Sequence, residues 1–486
     1  MNRVEISRRG VRSSGPGSAT PGLRTVESKS SFELALELPS TLPVYYRIGS
    51  SGLEWGEGLA AVAGDAGIPA PESWELLASV HGGVAAPDDA LGVPGVQRLT
   101  VGTVVRVDAA GVRVERQPPR LPGPERDLID LIGSALPAGE FGIAYSGGLA
   151  SAFLAVAAYR AGKRPLLVYA DLGAAFAHLP LPEVPGLELR RVPMDVSGLL
   201  DHHPISTQSP RPLMLEVEVR RRMLAQLSSA VDLPLASGAL LEDLVSVRLA
   251  ETEISDEKLL ECEPFHVAGR LPTLAEARKL LEERTVYAPM ASAQGPPGAQ
   301  RQGAQPPQVP TGVNFVPGLT EAGREEYGIA QQLRLPLWKA HIDSLPPVLG
   351  KADAALAERG DAGAVLPALD PRVLAAVAAL SADDIGRIER GMFRNSLPLW
   401  QAIGAHRVTG VRRSPAGYWL RLAAAEHLYA HRDKLAAYVC DSPLADAGLI
   451  EAEQVAAALR DPRRMSEHAL ALLRLVWTDH WMRGQA

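Results

Sequence analysis

The spacing of hydrophobic and polar residues divides this chain into segments of different structure. Between Ser31 and Pro118 apolar positions alternate with polar ones, as in SFELALEL, and PVYYRIG is rich in aromatic and β-branched residues. The stretches VVRVD and VRVER flank a short AAG turn and predict a hairpin. The pattern predicts a small β-rich domain over residues 31–120.

After residue 120 the spacing changes. A Pro-rich joint, PPRLPGPERD, precedes a predicted helix from Asp127 to Ala135. GIAY is then typical of a short buried strand, SGGLAS of a tight loop, AFLAVAAYRAG of a helix closed by Gly162, and RPLLVYAD of a second strand. EVEVRRRMLAQLSSA and LPLASG repeat the helix and the strand. This order predicts a parallel sheet that binds ligands at the carboxyl ends of its strands.

The remaining segments are low in apolar content or helical. Residues 1–30 are basic and rich in Ser, Gly and Thr, and they predict a disordered tail. Residues 291–318 are rich in Pro, Gln and Gly and predict a flexible insertion. Ala/Leu periodicity predicts C-terminal helices around 371–380, 419–431, 451–459 and 466–482.

Composition narrows the classes of function. A length of 486 residues suits two or three domains, and a net charge of -7 argues against a nucleic-acid partner. We find no apolar run near the roughly 20 residues that cross a bilayer and no secretory signal, so we expect no membrane span. The two cysteines, Cys262 and Cys440, are far apart and imply neither a disulfide nor a zinc site. A cytoplasmic location fits these features.

The loop between the first strand and helix of the parallel sheet is the main candidate for chemistry. Backbone N–H groups at a helix start form a natural anion site, and Gly147 and Gly148 allow a phosphate to approach the backbone. Ser146 and Ser151 add hydroxyl groups, so the loop suits a pyrophosphate. An ordinary glycine-rich turn is the alternative interpretation.

Five segments in order resemble motifs of the asparagine-synthetase superfamily, most closely the lasso-peptide cyclases. SGGLAS (146–151) resembles the SGGxDS pyrophosphate loop and LASGALLEDL (235–244) the second nucleotide motif. AVLPALDPRV, RRSPAGY and DSPLADAGLI resemble the later motifs, and PVYYRIGSSGLEWGEGLAAVAG is similar to part of the glutaminase-type domain. The resemblance implies an α/β fold: a parallel-sheet, adenine nucleotide hydrolase-like synthetase domain over residues 125–486 with a helical C-terminal part, preceded by a truncated glutaminase-like domain.

The same resemblance implies an ATP-dependent ligase that adenylates a carboxylate and forms an amide. Its cofactors would be ATP and Mg²⁺, and its substrate a peptide or small carboxylate. The residues that it implies are Ser146, Gly147, Gly148, Ser151, Ser237 and Gly238 for the nucleotide, Glu242 and Asp243 for the metal, and Arg412, Arg413 and Lys339 for catalysis. Helix capping is an equal alternative for the two acids, and solvated or carboxylate-paired side chains are an alternative for the two arginines.

Several family side chains are replaced. The loop aspartate that helps to hold magnesium is Ala150, the acid before the third motif is Gly363, and the lysine of the fourth is Ala416. Asn2 stands where the glutaminase has its cysteine nucleophile, so we expect no glutaminase activity. These losses motivate an alternative to the ligase, a pseudoenzyme that acts as a peptide-binding or scaffolding subunit of a biosynthetic complex. Its partners would be a peptidase, a recognition protein or an active paralogue.

Overall fold

The computed structural model of the chain describes the larger part of the sequence in separate ranges. These are residues 2–7, 10–15, 23–37, 44–49, 52–57, 62–63, 71–81, 95–99, 102–116, 121–123, 127–173, 181–201, 215–246, 316–333, 364–389, 392–411 and 418–484.

Two antiparallel sheets form the N-terminal region. Their strands are β1 (Asn2–Ser7), β2 (Gly10–Ser14), β3 (Leu23–Glu27), β4 (Ser31–Leu36), β5 (Val44–Gly49), β6 (Gly52–Glu57), β7 (Val96–Leu99), β8 (Thr103–Asp108) and β9 (Gly111–Arg116). One sheet has the order β2-β1-β6-β5-β7 and the other β3-β4-β8-β9. Leu53 of the first sheet and Leu34 of the second are buried in one shared core, so the predicted β-rich domain is a sandwich of two sheets.

The prediction of a disordered tail over residues 1–30 is wrong for three segments, because these segments form β1, β2 and β3. β1 pairs with β6, and Val4 is only 1% exposed in the sandwich core. On the solvent side Arg3 forms an ion pair with Glu54 at 2.5 Å. The low apolar content of the tail suggested disorder, but a strand at the surface of a sandwich needs apolar residues only at alternate positions.

A parallel sheet follows, as the sequence predicts. Its strands are β10 (Gly142–Ala144), β11 (Leu166–Asp171), β12 (Leu189–Pro193) and β13 (Leu235–Ala236), in the order β12-β11-β10-β13. A parallel bridge between Ala236 and Val365 extends the sheet beyond β13. The chain therefore builds outwards from β10 in one direction and then crosses to the other side of β10. The gap between the carboxyl ends of β10 and β13 is the topological switch point.

Helices lie between the strands of this sheet in sequence and pack against it. They are α2 (Leu128–Ala135), α3 (Leu149–Arg160), α4 (Val196–Leu200), α5 (Leu215–Val231) and α6 (Leu241–Leu244), after α1 (Ser73–His81) of the N-terminal region. α3 is buried along most of its length. At Gly133 of α2, an added Cβ would lie 2.8 Å from the carbonyl oxygen of Ala157, so glycine permits the close packing of α2 on α3.

The C-terminal part is mainly helical. It contains α7 (Glu321–Leu333), α8 (Pro371–Ala378), α9 (Ala382–Ile385), the hairpin of β14 (Arg387–Glu389) and β15 (Met392–Arg394), α10 (Leu397–Ala405), α11 (Tyr418–Val439), α12 (Pro443–Asp446), α13 (Ala452–Arg460), α14 (Pro462–Glu467) and α15 (Ala469–Arg483). The expected helix at 419–431 continues to Val439, and the one at 466–482 is divided at His468. Of all the helices in the described ranges, none combines the length and apolarity needed to cross a membrane.

Two features adjust the predicted boundaries. α1 lies within residues 31–120, yet Leu77 is buried in the helical C-terminal core, and the carbonyl of His81 accepts a hydrogen bond from Arg474 at 3.2 Å. Residues 291–315 of the expected insertion lie outside the described residues. Val316 is buried, so packed structure begins before the predicted end of the insertion.

Candidate nucleotide site

The loop after β10 has the backbone conformation of an anion-binding turn. Tyr145 is buried, its amide donates to the Val168 carbonyl at 2.8 Å, and its hydroxyl donates to the Pro182 carbonyl at 2.8 Å. These bonds fix the start of the loop against the sheet. Gly147 has φ +74°, a left-handed conformation that favours glycine, and Gly148 is the N-cap of α3. The turn thus directs the first amides of α3 towards the carboxyl edge of the sheet.

The two loop serines have different surroundings. Ser146 is exposed, and its Oγ accepts a hydrogen bond from the Gly148 amide at 3.3 Å. Ser151 is 5% exposed, and its Oγ donates to the Gly148 carbonyl at 3.0 Å and lies 3.2 Å from the Ser146 Oγ. Ser151 therefore holds the loop conformation from its buried side, whereas Ser146 faces solvent, where a phosphate would lie.

The turn after β13 packs directly on the start of α3. Ser237 donates its amide to the Val365 carbonyl at 2.9 Å, and its Oγ accepts from the Ala239 amide at 3.2 Å. A Cβ added to Gly238 would lie 2.9 Å from both the carbonyl carbon and the Cβ of Ala150. Glycine is therefore required for this approach, which brings the two predicted nucleotide motifs together at the switch point.

Glu242 joins the same site through its carboxylate. Leu240 has a left-handed φ of +71° immediately before α6, and α6 contacts α3. Glu242 Oε1 accepts a hydrogen bond from the Ala150 amide at 3.0 Å. An amide in the first turn of a helix has no acceptor within the helix, so this carboxylate caps α3. Glu242 is thus a helix cap, but of α3 and not of its own helix α6, which is where the sequence placed the capping alternative.

Three other acids lie at this edge, and two of them accept hydrogen bonds from backbone amides close in sequence. Asp243 is partly buried, with one carboxylate oxygen inaccessible to solvent. Asp171, at the end of β11, accepts from the Gly173 amide at 3.1 Å, and Asp195, after β12, caps α4 by accepting from the Gly198 amide at 3.1 Å. Neither Asp171 nor Asp195 was predicted as a site residue, although an acid at the end of a buried parallel strand, the position of Asp171, is a signal for this edge.

Asp370, the acid of the third motif (AVLPALDPRV), has a structural role. Asp370 accepts from the Arg372 amide at 2.8 Å and forms an ion pair with the Arg372 guanidinium at 2.7 Å. Burial raises the pKa of Asp370, but hydrogen bonds from Arg372 outweigh this effect and hold the pKa below its usual value. Asp370 is therefore an ionised cap of α8.

Several predicted site residues lie outside the described residues. These are Lys339, Arg412 and Arg413 of the expected catalytic set, and Gly363 and Ala416 at the positions where the family has an acid and a lysine. Their catalytic roles stay predictions from the resemblance.

The site fits the two parts of Mg²⁺-ATP to different degrees. A phosphate matches the turn, because Gly147 has the required backbone conformation and α3 offers first-turn amides. The site fits magnesium less well, because the Ala150 side chain has no ligand atom and the Glu242 carboxylate accepts a hydrogen bond from a backbone amide. Magnesium coordination by Glu242 would require its carboxylate to leave the Ala150 amide.

Comparisons with known proteins add no family assignment. Neither a scan against protein-family models nor a search of the curated proteins finds a match for this chain.

Proposed function

We propose that this chain binds ATP at the start of α3 and is an asparagine-synthetase-like, ATP-dependent ligase. Its reaction would form an amide, as in lasso-peptide macrolactam cyclases of peptide natural-product biosynthesis, without glutaminase activity. The observation that carries the proposal is the left-handed Gly147 turn at the switch point between β10 and β13. Open parallel sheets bind ligands at such a point.

The phosphate position follows from the local geometry. The exposed Ser146 hydroxyl and the Gly147–Gly148 backbone lie directly before α3, where the helix dipole favours negative charge. Gly238 keeps the neighbouring turn close enough to form one wall. These groups would hold the pyrophosphate portion of ATP and stabilise the charge that develops on it as it leaves.

The proposed reaction has two steps. A substrate carboxylate oxygen attacks the α-phosphorus of ATP, the bond to pyrophosphate breaks, and an acyl-adenylate forms. An amine nitrogen then attacks the acyl carbon, AMP leaves, and the nitrogen loses a proton to give the amide. Magnesium supplies charge neutralisation for the phosphates when it is bound. The loop and α3 bind and orient the nucleotide, and Arg412, Arg413 and Lys339 are the proposed cationic groups.

A specific observation favours a second candidate, a catalytically degenerate scaffold that binds a peptide or an active paralogue. Glu242 occupies the Ala150 amide, one of the groups that would bind a phosphate, and the chain has alanine at the loop position of the family acid. A carboxylate in this position stabilises the empty loop as a phosphate would stabilise the loaded one. That arrangement suits a protein that keeps the fold without the nucleotide.

Calorimetric titration with ATP, with and without magnesium, tests the proposal. Gly147→Asp introduces a carboxylate where the phosphate should bind and should abolish wild-type binding. Gly162→Asp is the matched control, because Gly162 has φ +76° at the far end of α3 with open space around the added Cβ. Both variants carry similar backbone strain, but only the first affects the loop.

Binding by the wild-type chain and by Gly162→Asp, lost in Gly147→Asp, would support the nucleotide site. A search for the carboxylate substrate by pyrophosphate release would then test the ligase reaction. An absence of ATP binding by the wild-type chain under both conditions would reject the ligase and leave the scaffold.

A further inference from the structure

Three side chains with metal-binding atoms converge where α4 ends against α11. His427 and His431 are one helical turn apart on α11, and Asp201 directly follows α4. One ligand atom from each residue lies within 4.8 Å of the other two. The imidazole rings of the histidines are 4.8 Å apart between centroids and tilted by 56°. A His pair at i and i+4 presents both imidazoles on one helix face, where they can bind one ion.

The separation between these groups suits an ion better than a direct bond. His427 Nε2 lies 3.9 Å from Asp201 Oδ1, which is longer than a hydrogen bond. Tetrahedral zinc, with ligand bonds of about 2.0 to 2.2 Å, holds its nitrogen and oxygen ligands roughly 3.3 Å apart. The three ligand atoms, which lie within 4.8 Å of one another, would come closer together on binding an ion.

The end of α4 is held independently of the three side chains. Arg222 of α5 donates to the carbonyls of Leu199 at 3.2 Å and Asp201 at 2.7 Å, and Trp477 Nε1 donates to the Leu200 carbonyl at 2.9 Å. The Arg222 guanidinium also lies over the Trp477 ring, 5.2 Å from its centroid. The backbone of Asp201 is therefore fixed before any ion binds.

The positive charge of Arg222 is offset nearby. The buried carboxylate of Glu218 accepts hydrogen bonds from Arg221 at 2.7 Å and from Arg222 at 2.9 Å. Arg222 thus bonds to the backbone carbonyl of Asp201 and not to its carboxylate, while Glu218 balances the charge of Arg222.

We infer that Asp201, His427 and His431 bind one divalent transition-metal ion, with Zn²⁺ the best match to two imidazoles and one carboxylate. The ion clamps α4, the segment that follows β12, to the long helix α11. His427 is 8% exposed, His431 is half-buried and the Asp201 side chain is 52% exposed, so the fourth coordination position opens to solvent and takes water. This site is independent of the proposed ATP site.

The test uses the untagged full-length chain, freed of metal by a chelator and titrated with Zn²⁺ in competition with a chromophoric chelator. We expect one tightly bound equivalent, and with Co²⁺ in its place the visible absorption of tetrahedral cobalt. Asp201→Asn and His431→Ala should each weaken binding by at least about tenfold. Zn²⁺ should raise the melting temperature of the wild-type chain more than that of Asp201→Asn, because a ligand of the native state stabilises the fold in proportion to its binding free energy.

Asp201→Asn is nearly isosteric at an exposed position, so it tests the site even if substitution of the buried His427 prevents folding. His406→Ala, which removes a half-buried histidine at the end of α10, is the control and should bind Zn²⁺ as the wild type does. Wild-type affinity in both Asp201→Asn and His431→Ala would overturn the inference. So would loss of binding only in the double variant His202→Ala/His203→Ala, which removes the histidine pair next in sequence.

Discussion

The carboxylate of Glu242 accepts a hydrogen bond from the backbone amide of Ala150 at 3.0 Å, across 92 residues of sequence. The contact joins the two segments that resemble nucleotide motifs. It also sets a competition, because a phosphate bound at the start of α3 and the Glu242 carboxylate need the same amide. The behaviour of this pair distinguishes a working nucleotide site from a retained fold.

Glu242→Gln separates the two roles of the carboxylate. If Glu242 becomes a metal ligand when Mg²⁺-ATP binds, the substitution should weaken magnesium-dependent ATP binding about tenfold or more, since a neutral amide is a poorer ligand for Mg²⁺. Binding of ATP without magnesium should strengthen, because a negative charge beside the phosphate has been removed. Calorimetry under both conditions measures the pair of effects. If Glu242→Gln also binds ATP more strongly with magnesium present, Glu242 blocks the phosphate position in the wild-type chain, which would favour the scaffold.

Ala150→Asp introduces the acid of the SGGxDS loops that this loop resembles. Without magnesium the new carboxylate lies near Glu242, and we expect a loss of about 1 kcal/mol or more in the free energy of unfolding from like-charge repulsion. With magnesium and ATP the melting temperature should rise further than that of the wild type, since two carboxylates can share the ion. Ala150→Asn has a similar shape without the charge and should show neither change. An equal response of the two variants to magnesium would contradict a metal site here.

Gly238→Ala tests the contact between the two motifs. The added methyl would lie 2.9 Å from the carbonyl carbon of Ala150, and backbone atoms cannot move aside as a flexible side chain can. We expect a loss of about 1 to 3 kcal/mol in urea unfolding, together with weaker ATP binding. Gly139→Ala, where nothing lies within 4 Å of the new Cβ, should leave both properties near wild type.

Asp479 gives the helical part a predictable pH response. Its side chain is 0% exposed, and burial raises the pKa of the carboxyl above its usual value, although hydrogen bonds from Ser442 and Arg483 oppose the shift. The folded state therefore holds the proton more tightly than the unfolded state. The contribution of Asp479 to stability is greatest at low pH and falls as the pH rises from about 4 through the folded-state pKa.

Asp479→Asn should remove that dependence, so its stability relative to the wild type should increase as the pH rises in urea unfolding. Ser442→Ala removes a donor to the buried carboxylate and should cost about 1 to 3 kcal/mol. A difference between Asp479→Asn and the wild type that is constant with pH would show that the carboxyl has the same pKa in both states.

The parts of the fold that the sequence predicts are those governed by neighbouring residues. The apolar β10, the glycine turn and the start of α3 follow from periodicity and backbone preference, and Gly147 has the conformation that its position requires. Contacts between distant segments were not predicted. Val4 supports a strand only because β6 pairs with β1, and the Glu242 cap depends on α6 lying against α3. Such pairings are set by tertiary packing, which local patterns do not encode.

The position of α1 also bears on how the chain is made and divided. His81 and Arg474 are 393 residues apart in sequence, yet they are joined by a hydrogen bond, and Leu77 is covered by helices that include α15. During synthesis from the N-terminus, α1 leaves the ribosome long before α15, so the part of its apolar face that α15 covers stays exposed until almost all of the described chain has been translated. The C-terminal helices expressed alone would in turn lack the partner that closes their core. α1 and the C-terminal helices therefore complete one core together, although α1 lies in the N-terminal part of the sequence.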